Sequence, residues 1–299
     1  MEKSVISLLL VLALYFNSVN AQTKLLRQPA LSEDHIAFVY ANDIWIANRD
    51  GSTPNRLTSF TGQELLPHFS PDGQMIAFTG EYDGNKDVYV VSVHGGEPVR
   101  LTWHPYNDLV RGWTPDGQSV LFASSRDGAP YPMNKLFTVS LSGQFPQALP
   151  LARADEGSYN KDGKRLAFRK IEGWETEFRN YKGGQNIPLF IANLADKTVT
   201  AIPNENTTDR NPVWINENVY FLSDRDHATN IWSYNTMDGS LTQHSHFTEY
   251  DCKNLSAGAG MLIFENGGEL YALNPDMERE PTKLNITVDG HLPWIRPHW

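Results

Sequence analysis

The chain has 299 residues, is 40% hydrophobic and carries a formal net charge of −10. It is therefore long enough to bury a large core. Its lysines and arginines form no cluster, which argues against nucleic acid and anionic membrane surfaces as partners. The single cysteine, Cys252, excludes an internal disulfide and is typical of a small buried hydrophobe.

The N-terminal segment differs from the rest of the chain in composition. Lys3 precedes an apolar stretch at 5–16, and Val19 and Ala21 supply the small residues of a signal-peptidase site. This pattern predicts a signal peptide over residues 1–21 and a periplasmic or secreted mature protein. A retained N-terminal anchor is the alternative, although the apolar stretch is too short to span a membrane comfortably. After cleavage we expect no contact with a membrane.

After this segment, a pair of short β-type runs recurs six times, which is typical of a repeat fold. The first run of each pair ends in phenylalanine, and the second run is centred on an aromatic residue. The first runs are Ile36-Ala37-Phe38, Ile76-Ala77-Phe78, Val120-Leu121-Phe122, Leu166-Ala167-Phe168, Val219-Tyr220-Phe221 and Leu262-Ile263-Phe264. The second runs are Ile44-Trp45-Ile46, Val88-Tyr89-Val90, Leu136-Phe137-Thr138, Leu189-Phe190-Ile191, Ile231-Trp232-Ser233 and Leu270-Tyr271-Ala272.

The central aromatic residues of the second runs set the period of the repeat. They follow one another at intervals of 39 to 53 residues, close to the period of a four-stranded propeller blade, which is about 40–50 residues. No long segment shows the 3.6-residue periodicity of a helix. The sequence therefore predicts an all-β fold, a six-bladed β-propeller of four-stranded antiparallel blades, over residues 22–287. A β-sandwich with accidental self-similarity is the alternative.

Turn phrases precede several of the first runs. The second unit has Pro71-Asp72-Gly73, the third has Pro115-Asp116-Gly117, and the fourth keeps Lys161-Asp162-Gly163. Proline fixes φ and glycine accepts a positive φ, so these phrases predict a strand, a turn and a second strand. Two units end with a further strand of related sequence, Asn55–Thr58 and Val99–Thr102.

The sequence contains no nucleophile elbow, no zinc-protease motif, no phosphate-binding glycine loop and no Cys-x-x-Cys. His244 and His246 could supply half of a metal site, and Asp83–Asp87 resembles the start of a calcium loop. In both cases we favour the interpretation that these are polar residues at the ends of strands and not metal ligands. The histidines lack a third ligand, and Val88 and His94 replace the glycine and glutamate of a calcium loop. We expect no catalytic residue, no metal and no cofactor in this chain.

Two arginine-containing turns occupy equivalent places in their units, Ser125-Arg126-Asp127 and Asp224-Arg225-Asp226. An arginine with flanking carboxylates could bind the end of a substrate. A ligand site rarely recurs from blade to blade, so we favour a structural role. In that role the arginine ties one blade to the next through charge-assisted hydrogen bonds.

The most irregular stretch is Ile171–Asn186, in the widest unit of the series. Long loops inserted in a regular scaffold are often functional. Packing against a neighbouring domain or subunit is an equally favoured alternative. The candidate contacts with a peptide or partner in this stretch are Trp174, Phe178, Arg179, Tyr181 and Lys182.

The ordered phrases between Lys24 and Gly128 resemble the N-terminal region of tricorn-type serine peptidases. Each Pro-Asp-Gly phrase is shared with TolB-like propellers, and the order of the set is the more specific feature. The segment 179–184 resembles the Tyr-Arg-Gly element of the fourth blade in that family, with Lys182 in place of arginine. The other matching phrases are Leu26-Arg27-Gln28-Pro29-Ala30-Leu31-Ser32, Asp43-Ile44-Trp45-Ile46-Ala47, Pro67-His68-Phe69-Ser70-Pro71-Asp72-Gly73, Gly80-Glu81-Tyr82-Asp83-Gly84-Asn85 and Gly112-Trp113-Thr114-Pro115-Asp116-Gly117.

The resemblance implies a six-bladed ring that is followed, in that family, by a seven-bladed propeller, a PDZ domain and the peptidase domain with the catalytic residues. No catalytic residue of the family falls on a position of this chain. The implied function is a non-catalytic propeller that gates or recognises peptides for the peptidase domain. The implied partners are peptides or unfolded protein, and the downstream peptidase domains or other subunits.

Residues 288–299 are expected to be a tail, either a closing strand or the start of a following propeller. Arg296-Pro297-His298-Trp299 resembles the strand phrase Pro67-His68-Phe69, which favours the second interpretation and an incomplete chain. The alternative function is a stand-alone periplasmic TolB-like propeller that binds a protein or peptide partner. The propeller of a prolyl-oligopeptidase-type peptidase is a third alternative.

Overall fold

The computed structural model describes residues 23–128, 131–172, 180–184, 186–278 and 280–288. Within these ranges the regular structure consists of β-strands, which form six sheets of four strands each. All strand pairs in these sheets are antiparallel. The predicted six-bladed β-propeller is confirmed. None of the described residues belongs to a helix that is long and apolar enough to cross a membrane.

Each blade is built from four strands that are consecutive in the chain. Blade 1 contains β1 (Arg27–Leu31), β2 (His35–Tyr40), β3 (Asp43–Asn48) and β4 (Asn55–Arg56). Blade 2 contains β5 (Glu64–Phe69), β6 (Met75–Gly80), β7 (Asp87–Ser92) and β8 (Val99–Arg100). Blade 3 contains β9 (Asp108–Trp113), β10 (Ser119–Ser124), β11 (Lys135–Ser140) and β12 (Gln147–Ala148).

The second half of the ring repeats this order. Blade 4 contains β13 (Glu156–Tyr159), β14 (Arg165–Arg169), β15 (Phe190–Asn193) and β16 (Val199–Ala201). Blade 5 contains β17 (Asp209–Ile215), β18 (Asn218–Asp226), β19 (Ala228–Asn235) and β20 (Leu241–Gln243). Blade 6 contains β21 (Lys253–Gly258), β22 (Met261–Asn266), β23 (Glu269–Leu273) and β24 (Thr282–Lys283).

The first strands of the six blades surround a central channel, because each contacts the first strands of both neighbouring blades. β1 contacts both β5 and β21, so the ring closes between blades 1 and 6. No described blade combines strands from the two ends of the chain. The end of the ring that carries the turns between first and second strands, such as residues 70–74, is called the turn end. The opposite end, with the loops between second and third strands, such as residues 180–184, is called the insertion end.

A fully buried phenylalanine occupies the same place in the second strand of every blade. Each hydrophobic cluster combines side chains of two neighbouring blades; one of them joins Ile44 of blade 1 to Ile76 of blade 2. A single blade could not bury these side chains, so the ring is stable only as a whole. The six residues, each at most 1% exposed, are Phe38, Phe78, Phe122, Phe168, Phe221 and Phe264.

The two runs of each predicted repeat unit pair directly as second and third strands. In blade 3, Phe122 lies opposite Phe137, and the centroids of the two rings are 5.6 Å apart. In blade 6, Phe264 lies opposite Tyr271, and their ring centroids are 5.8 Å apart. The recurring aromatic pair in the sequence is therefore a cross-strand pair inside each blade.

The phrase Arg56-Leu57-Thr58 joins the outer strand of blade 1, β4, to the third strand of the same blade, β3. The N–H of Leu57 donates to the carbonyl of Ile44 at 2.8 Å, and the hydroxyl of Thr58 accepts the N–H of Ile44 at 2.9 Å. Arg56 Nε lies 3.1 Å from the carboxylate of Asp43, which begins β3. The equivalent residues of blade 2 are Asp87, Val88, Arg100, Leu101 and Thr102.

Asp43 makes the stability of the ring depend on pH. Burial raises the pKa of Asp43 to about 7; the charge of Arg56 opposes this rise and the charge of Glu64 adds to it. The folded state therefore holds the proton more tightly than the unfolded state. The stability that this group contributes is full below about pH 4 and is lost as the pH rises through about 7.

We expect Asp43→Asn to flatten the decline of the unfolding free energy between about pH 4 and pH 7, because the titrating proton is gone. The control Asp50→Asn removes an exposed carboxylate of the same blade. Hydrogen bonds with Ser52 lower the pKa of Asp50, so this variant should not flatten the decline. Denaturant titrations at several pH values measure both. A wild-type slope in the Asp43 variant would contradict the assignment.

Candidate functional site

Five of the six first strands carry a β-bulge where they line the channel. In blade 3 the extra residue is Arg111, whereas β13 of blade 4 pairs without a shift. A bulge interrupts regular pairing and re-aims side chains, here toward the channel. The bulge residues of the other four strands adopt a left-handed conformation with φ between 48° and 54°, and they are Gln28, Leu66, Asn211 and Asn254.

Hydrogen bonds between neighbouring blades narrow the channel at the level of these bulges. The carboxylate of Glu156 accepts the N–H of Asn211 at 2.7 Å and its Nδ2 at 3.1 Å. The Oε1 atom of Gln28 accepts the N–H of Leu66 at 2.9 Å. The cavity that remains has a volume of about 70 Å³. We call this part of the channel the waist, and it is lined by Gln28, Leu66, His68, Arg111, Glu156, Asn211 and Asn254.

Glu265 completes the set where blade 6 meets blade 1. Its carboxylate accepts the N–H of Gln28 and, at 2.6 Å, the Nδ2 of Asn254. Burial raises the pKa of Glu265, and the hydrogen bonds from Gln28 and Asn254 oppose that rise. The junction between the first and last blades therefore depends on a buried carboxyl group.

Arg111 supplies the positive charge at the waist. Its Nε donates to the carbonyl of Asp155 at 2.8 Å, and its Nη2 lies 3.1 Å from both oxygens of that carboxylate. Burial lowers the pKa of Arg111, but the charges of Asp155 and Glu156 outweigh this effect and raise it. Burial and the charge of Arg111 lower the pKa of His68 to about 4. At neutral pH the waist therefore holds a guanidinium ion beside a neutral imidazole.

Towards the turn end, the channel widens into a cavity of about 640 Å³, which we call the vestibule. Its wall includes Phe69, Trp113, Tyr159 and Val213, together with the turns between first and second strands. Trp113 is held in place by its indole N–H, which donates to the carbonyl of His68 at 2.9 Å. Burial and the charge of a nearby aspartate raise the pKa of Tyr159 to about 12, so its hydroxyl keeps its proton at neutral pH. The vestibule thus combines aromatic surface in its wall with charged groups on the turns around it.

At the insertion end, the described part of the long loop is attached to the junction of blades 4 and 5. Asp224 accepts the N–H of Asn180 at 3.1 Å and the N–H of Thr208 at 2.8 Å. Lys182 Nζ donates to the carbonyl of Asn206 at 3.0 Å, and Tyr181 is 38% exposed. Of the predicted contacts, the structure therefore brings Tyr181 and Lys182 to one junction. The others, Trp174, Phe178 and Arg179, lie outside the described residues.

Further exposed aromatic side chains lie at the insertion end, and no sequence pattern had indicated them as candidate contacts. They occupy the segments that connect one blade to the next and the loop of blade 3 between second and third strands. The available signal was position, since Phe60 and Trp103 each follow an Arg-Leu-Thr phrase. The residues, each at least 49% exposed, are Phe60, Trp103, Tyr106, Tyr131 and Tyr250.

The two arginine turns mainly hold their own blades together. Arg126 pairs with Asp108, and Arg225 pairs with Asp209 at 2.8 Å. Both ion pairs lie within one blade, whereas the predicted tie to the next blade is found for Arg225, whose Nη2 also donates to the carbonyl of Pro203 at 3.4 Å in the segment between blades 4 and 5. Each guanidinium also lies over two aromatic rings of its own blade, 5.0 to 5.3 Å from their centroids.

The polar groups considered as metal ligands have protein partners. His244 Nε2 lies 2.8 Å from the hydroxyl of Ser233, and burial lowers the pKa of His244. Asp83 and Asp87 both contact Arg100 at 2.6 Å. Across the part of the chain that the structure describes, no group of three or more potential ligands could hold a metal ion.

Glu156 offers a direct test of the waist. We expect Glu156→Ala to lower the unfolding free energy by about 1 kcal/mol, because the half-buried N–H of Asn211 loses its acceptor. Amide hydrogen exchange at Asn211 should also become faster, and Glu156→Gln should restore part of the protection through its remaining oxygen. The control Glu217→Ala removes an exposed glutamate of blade 5. Equal exchange at Asn211 in all variants would contradict the proposed hydrogen bond.

The chain is similar in sequence to known propeller domains. Residues 23–279 match the family model described as the tricorn protease N-terminal beta propeller domain. A tricorn protease homolog of Saccharolobus solfataricus is 27% identical over 264 residues, which cover 87% of this chain and 24% of the relative. Tricorn protease homolog 1 of Streptomyces coelicolor is 28% identical over 272 residues, which cover 89% of this chain and 25% of the relative. The chain thus spans about a quarter of the length of these relatives.

Solved structures show the same architecture. The crystal structure of the tricorn protease matches 90% of this chain and 27% of its own with a TM-score of 0.78 at 24% identity. A putative TolB from Agrobacterium tumefaciens matches 74% of this chain and 80% of its own with a TM-score of 0.61 at 18% identity. These likenesses concern the fold, and the family match covers most of the sequence. The chain belongs to the family of N-terminal β-propeller domains of tricorn proteases.

Proposed function

We propose that this chain is the non-catalytic propeller part of a secreted tricorn-like serine peptidase. In this role it gates or recognises peptide substrates or products for a peptidase domain located elsewhere. The observation that carries the proposal is a ring of this family in which hydrogen bonds between neighbouring blades constrict the channel at the waist, around a cavity of about 70 Å³. A passage with a narrow waist can select what enters or leaves a peptidase. The signal peptide predicted for residues 1–21 supports a periplasmic or secreted location.

Two candidate nucleophiles, Ser233 and Cys252, are shielded from substrate, which supports a non-catalytic role. Ser233 and His244 are within hydrogen-bond distance, as in a hydrolase, but Ser233 is only 4% exposed. A substrate could not reach this hydroxyl without opening blade 5. Cys252 is fully buried, and burial raises the pKa of its thiol to about 12, so it carries almost no thiolate at neutral pH.

The insertion end supports peptide recognition. Tyr181 presents a partly exposed ring on a loop that Asp224 fixes to the junction of blades 4 and 5. An aromatic side chain on a fixed loop offers contact area at a low entropy cost. Lys182 adds a positive charge beside it. We propose that the loop contacts peptides through these residues together with Trp174, Phe178 and Arg179.

We expect Tyr181→Ala/Lys182→Ala to weaken the binding of unfolded-protein peptides by about 3- to 10-fold. Fluorescence anisotropy with labelled peptides measures this change, and the same samples test hydrolysis. The wild-type chain should bind peptides without cleaving them, and serine-directed cleavage that survives purification would contradict the proposal. The control Phe145→Ala/Lys164→Ala removes an exposed ring and an exposed lysine at the turn end. An unchanged affinity of the Tyr181 and Lys182 variant would exclude these residues as contacts.

The alternative function is a stand-alone periplasmic TolB-like propeller that binds a protein or peptide partner. Its support is the likeness to a TolB structure and a ring that closes on itself among the described residues. The tricorn-like function requires association with a serine peptidase, whereas the TolB-like function requires another protein or peptide partner.

If the proposed function is right, the tagged chain should co-purify from its own cells with a serine peptidase, as a subunit or as part of one polypeptide. Affinity purification followed by mass spectrometry and an activity-based serine-hydrolase probe measures this association. Recovery of the chain with a partner that the probe does not label would favour the TolB-like alternative.

A further inference from the structure

The vestibule is the wide part of the channel at the turn end. Its volume of about 640 Å³ lies within the range of ligand pockets, which is about 300–1,000 Å³. The cavity at the waist, of about 70 Å³, is much smaller. The vestibule is therefore the part of the described channel with room for a segment of a peptide.

The wall of the vestibule suits an extended peptide. Each first strand has a hydrogen-bonded neighbour on one side only, so its other edge faces the channel. Edge strands offer backbone N–H and C=O groups that an extended chain can pair with. Phe69, Trp113 and Val213 provide apolar surface between these edges, and Pro71 and Pro115 extend it toward the rim. Backbone edges alternating with apolar side chains complement a peptide.

The charge around the rim favours a basic peptide. Glu33, Asp34 and Asp72 line the vestibule on the turns of blades 1 and 2, and none of them forms an ion pair with another described residue. A hydrogen bond from the hydroxyl of Ser70 lowers the pKa of Asp72, so this carboxylate stays ionised. The cations among the described lining residues are Lys161 on blade 4 and, deeper in the channel, Arg111, which is paired with Asp155. Clefts lined by one sign of charge concentrate ligands of the opposite sign.

We propose that the vestibule binds an extended peptide segment that alternates basic and apolar residues. The segment enters at the turn end and places its lysine or arginine side chains against the carboxylates of blades 1 and 2. This inference rests on the proposed function for its class of ligand. The vestibule site differs in location from the peptide contact proposed for the long loop, because the vestibule lies at the turn end of the ring and the loop at the insertion end.

A charge-matched pair of variants tests the rim. The probes are a fluorescein-labelled nonapeptide of alternating lysine and leucine and the same peptide with glutamate in place of lysine. We expect Glu33→Gln/Asp34→Asn to weaken binding of the lysine peptide at least about threefold, and the effect should shrink in high salt. The control Asp196→Asn/Asp238→Asn removes the same charge from exposed turns between third and fourth strands and should leave the affinity unchanged. Thermal unfolding confirms that all variants fold.

Three results would overturn the proposal. Equal weakening by the two double variants would show that only the net charge matters. Equal binding of the glutamate peptide would remove the basic specificity. Absence of saturable binding of the lysine peptide would remove the site itself.

Photo-crosslinking separates this inference from the proposed function. A lysine peptide with a central benzophenone should label residues 69–73 or 256–260, which line the vestibule. Labelling confined to residues 180–184 would overturn the vestibule site and leave the insertion contact standing. Labelling confined to the turn end would support the vestibule and count against the insertion as a peptide contact. Absence of labelling with absence of binding would contradict both.

Discussion

The ring depends on one junction, where the first blade must be held to the last without a shared strand. Among the described strands, β1 pairs only with β2 and β21 only with β22. The junction is held instead by the Glu265 carboxylate, which accepts the N–H of Gln28, and by the N–H of Leu25, which donates to the carbonyl of Gly268 at 2.8 Å. Leu26, which is 1% exposed, belongs to the same hydrophobic cluster as Ile263 of the last blade. A hydrogen bond to a charged group contributes about 1.5–3 kcal/mol, so this small set of contacts replaces the backbone ladder of a shared strand.

The same kind of contact both joins the blades and narrows the channel. Gln28 uses its side chain to reach the N–H of Leu66 in blade 2, and Glu156 reaches the N–H of Asn211 in blade 5. Because each contact spans the channel side of two blades, widening the waist means separating neighbouring blades. A neutral hydrogen bond contributes about 0.5–1.5 kcal/mol net, and several of them must be lost together. The stability of the ring and the width of its channel are therefore physically coupled.

The sequence predicts the architecture well, because the features that specify a blade are local. The buried phenylalanine and the facing aromatic of each unit, and the turn glycine that several units share, lie within one stretch of chain, so their spacing reveals strands and turns. Phe122 and Phe137 are paired as the repeat suggests. Gly73 adopts the positive φ that its turn requires.

The channel was not predictable in the same way, because its contacts join residues that are distant in the sequence. Gln28 and Glu265 are 237 positions apart, and no pattern in the sequence connects the two. The bulge at Leu66 was equally hidden, since leucine rarely adopts a left-handed conformation. The ion pairs of the arginine turns were misjudged for a related reason. The sequence places Arg126 correctly in its blade but cannot show that its carboxylate partner, Asp108, lies in the same blade.

The two ends of the described chain lie side by side. The N–H of Thr23 donates to the carbonyl of Ile286 at 3.3 Å, and the Thr23 hydroxyl accepts the N–H of Val288 at 2.8 Å. A domain with adjacent entry and exit points can be inserted within a longer polypeptide without forcing the flanking segments apart. The same geometry permits circular permutation, with the old ends joined by a short linker and new ends opened at an exposed turn such as Asp238-Gly239. The blade at which the chain begins can thus be changed without changing the order of the blades around the ring.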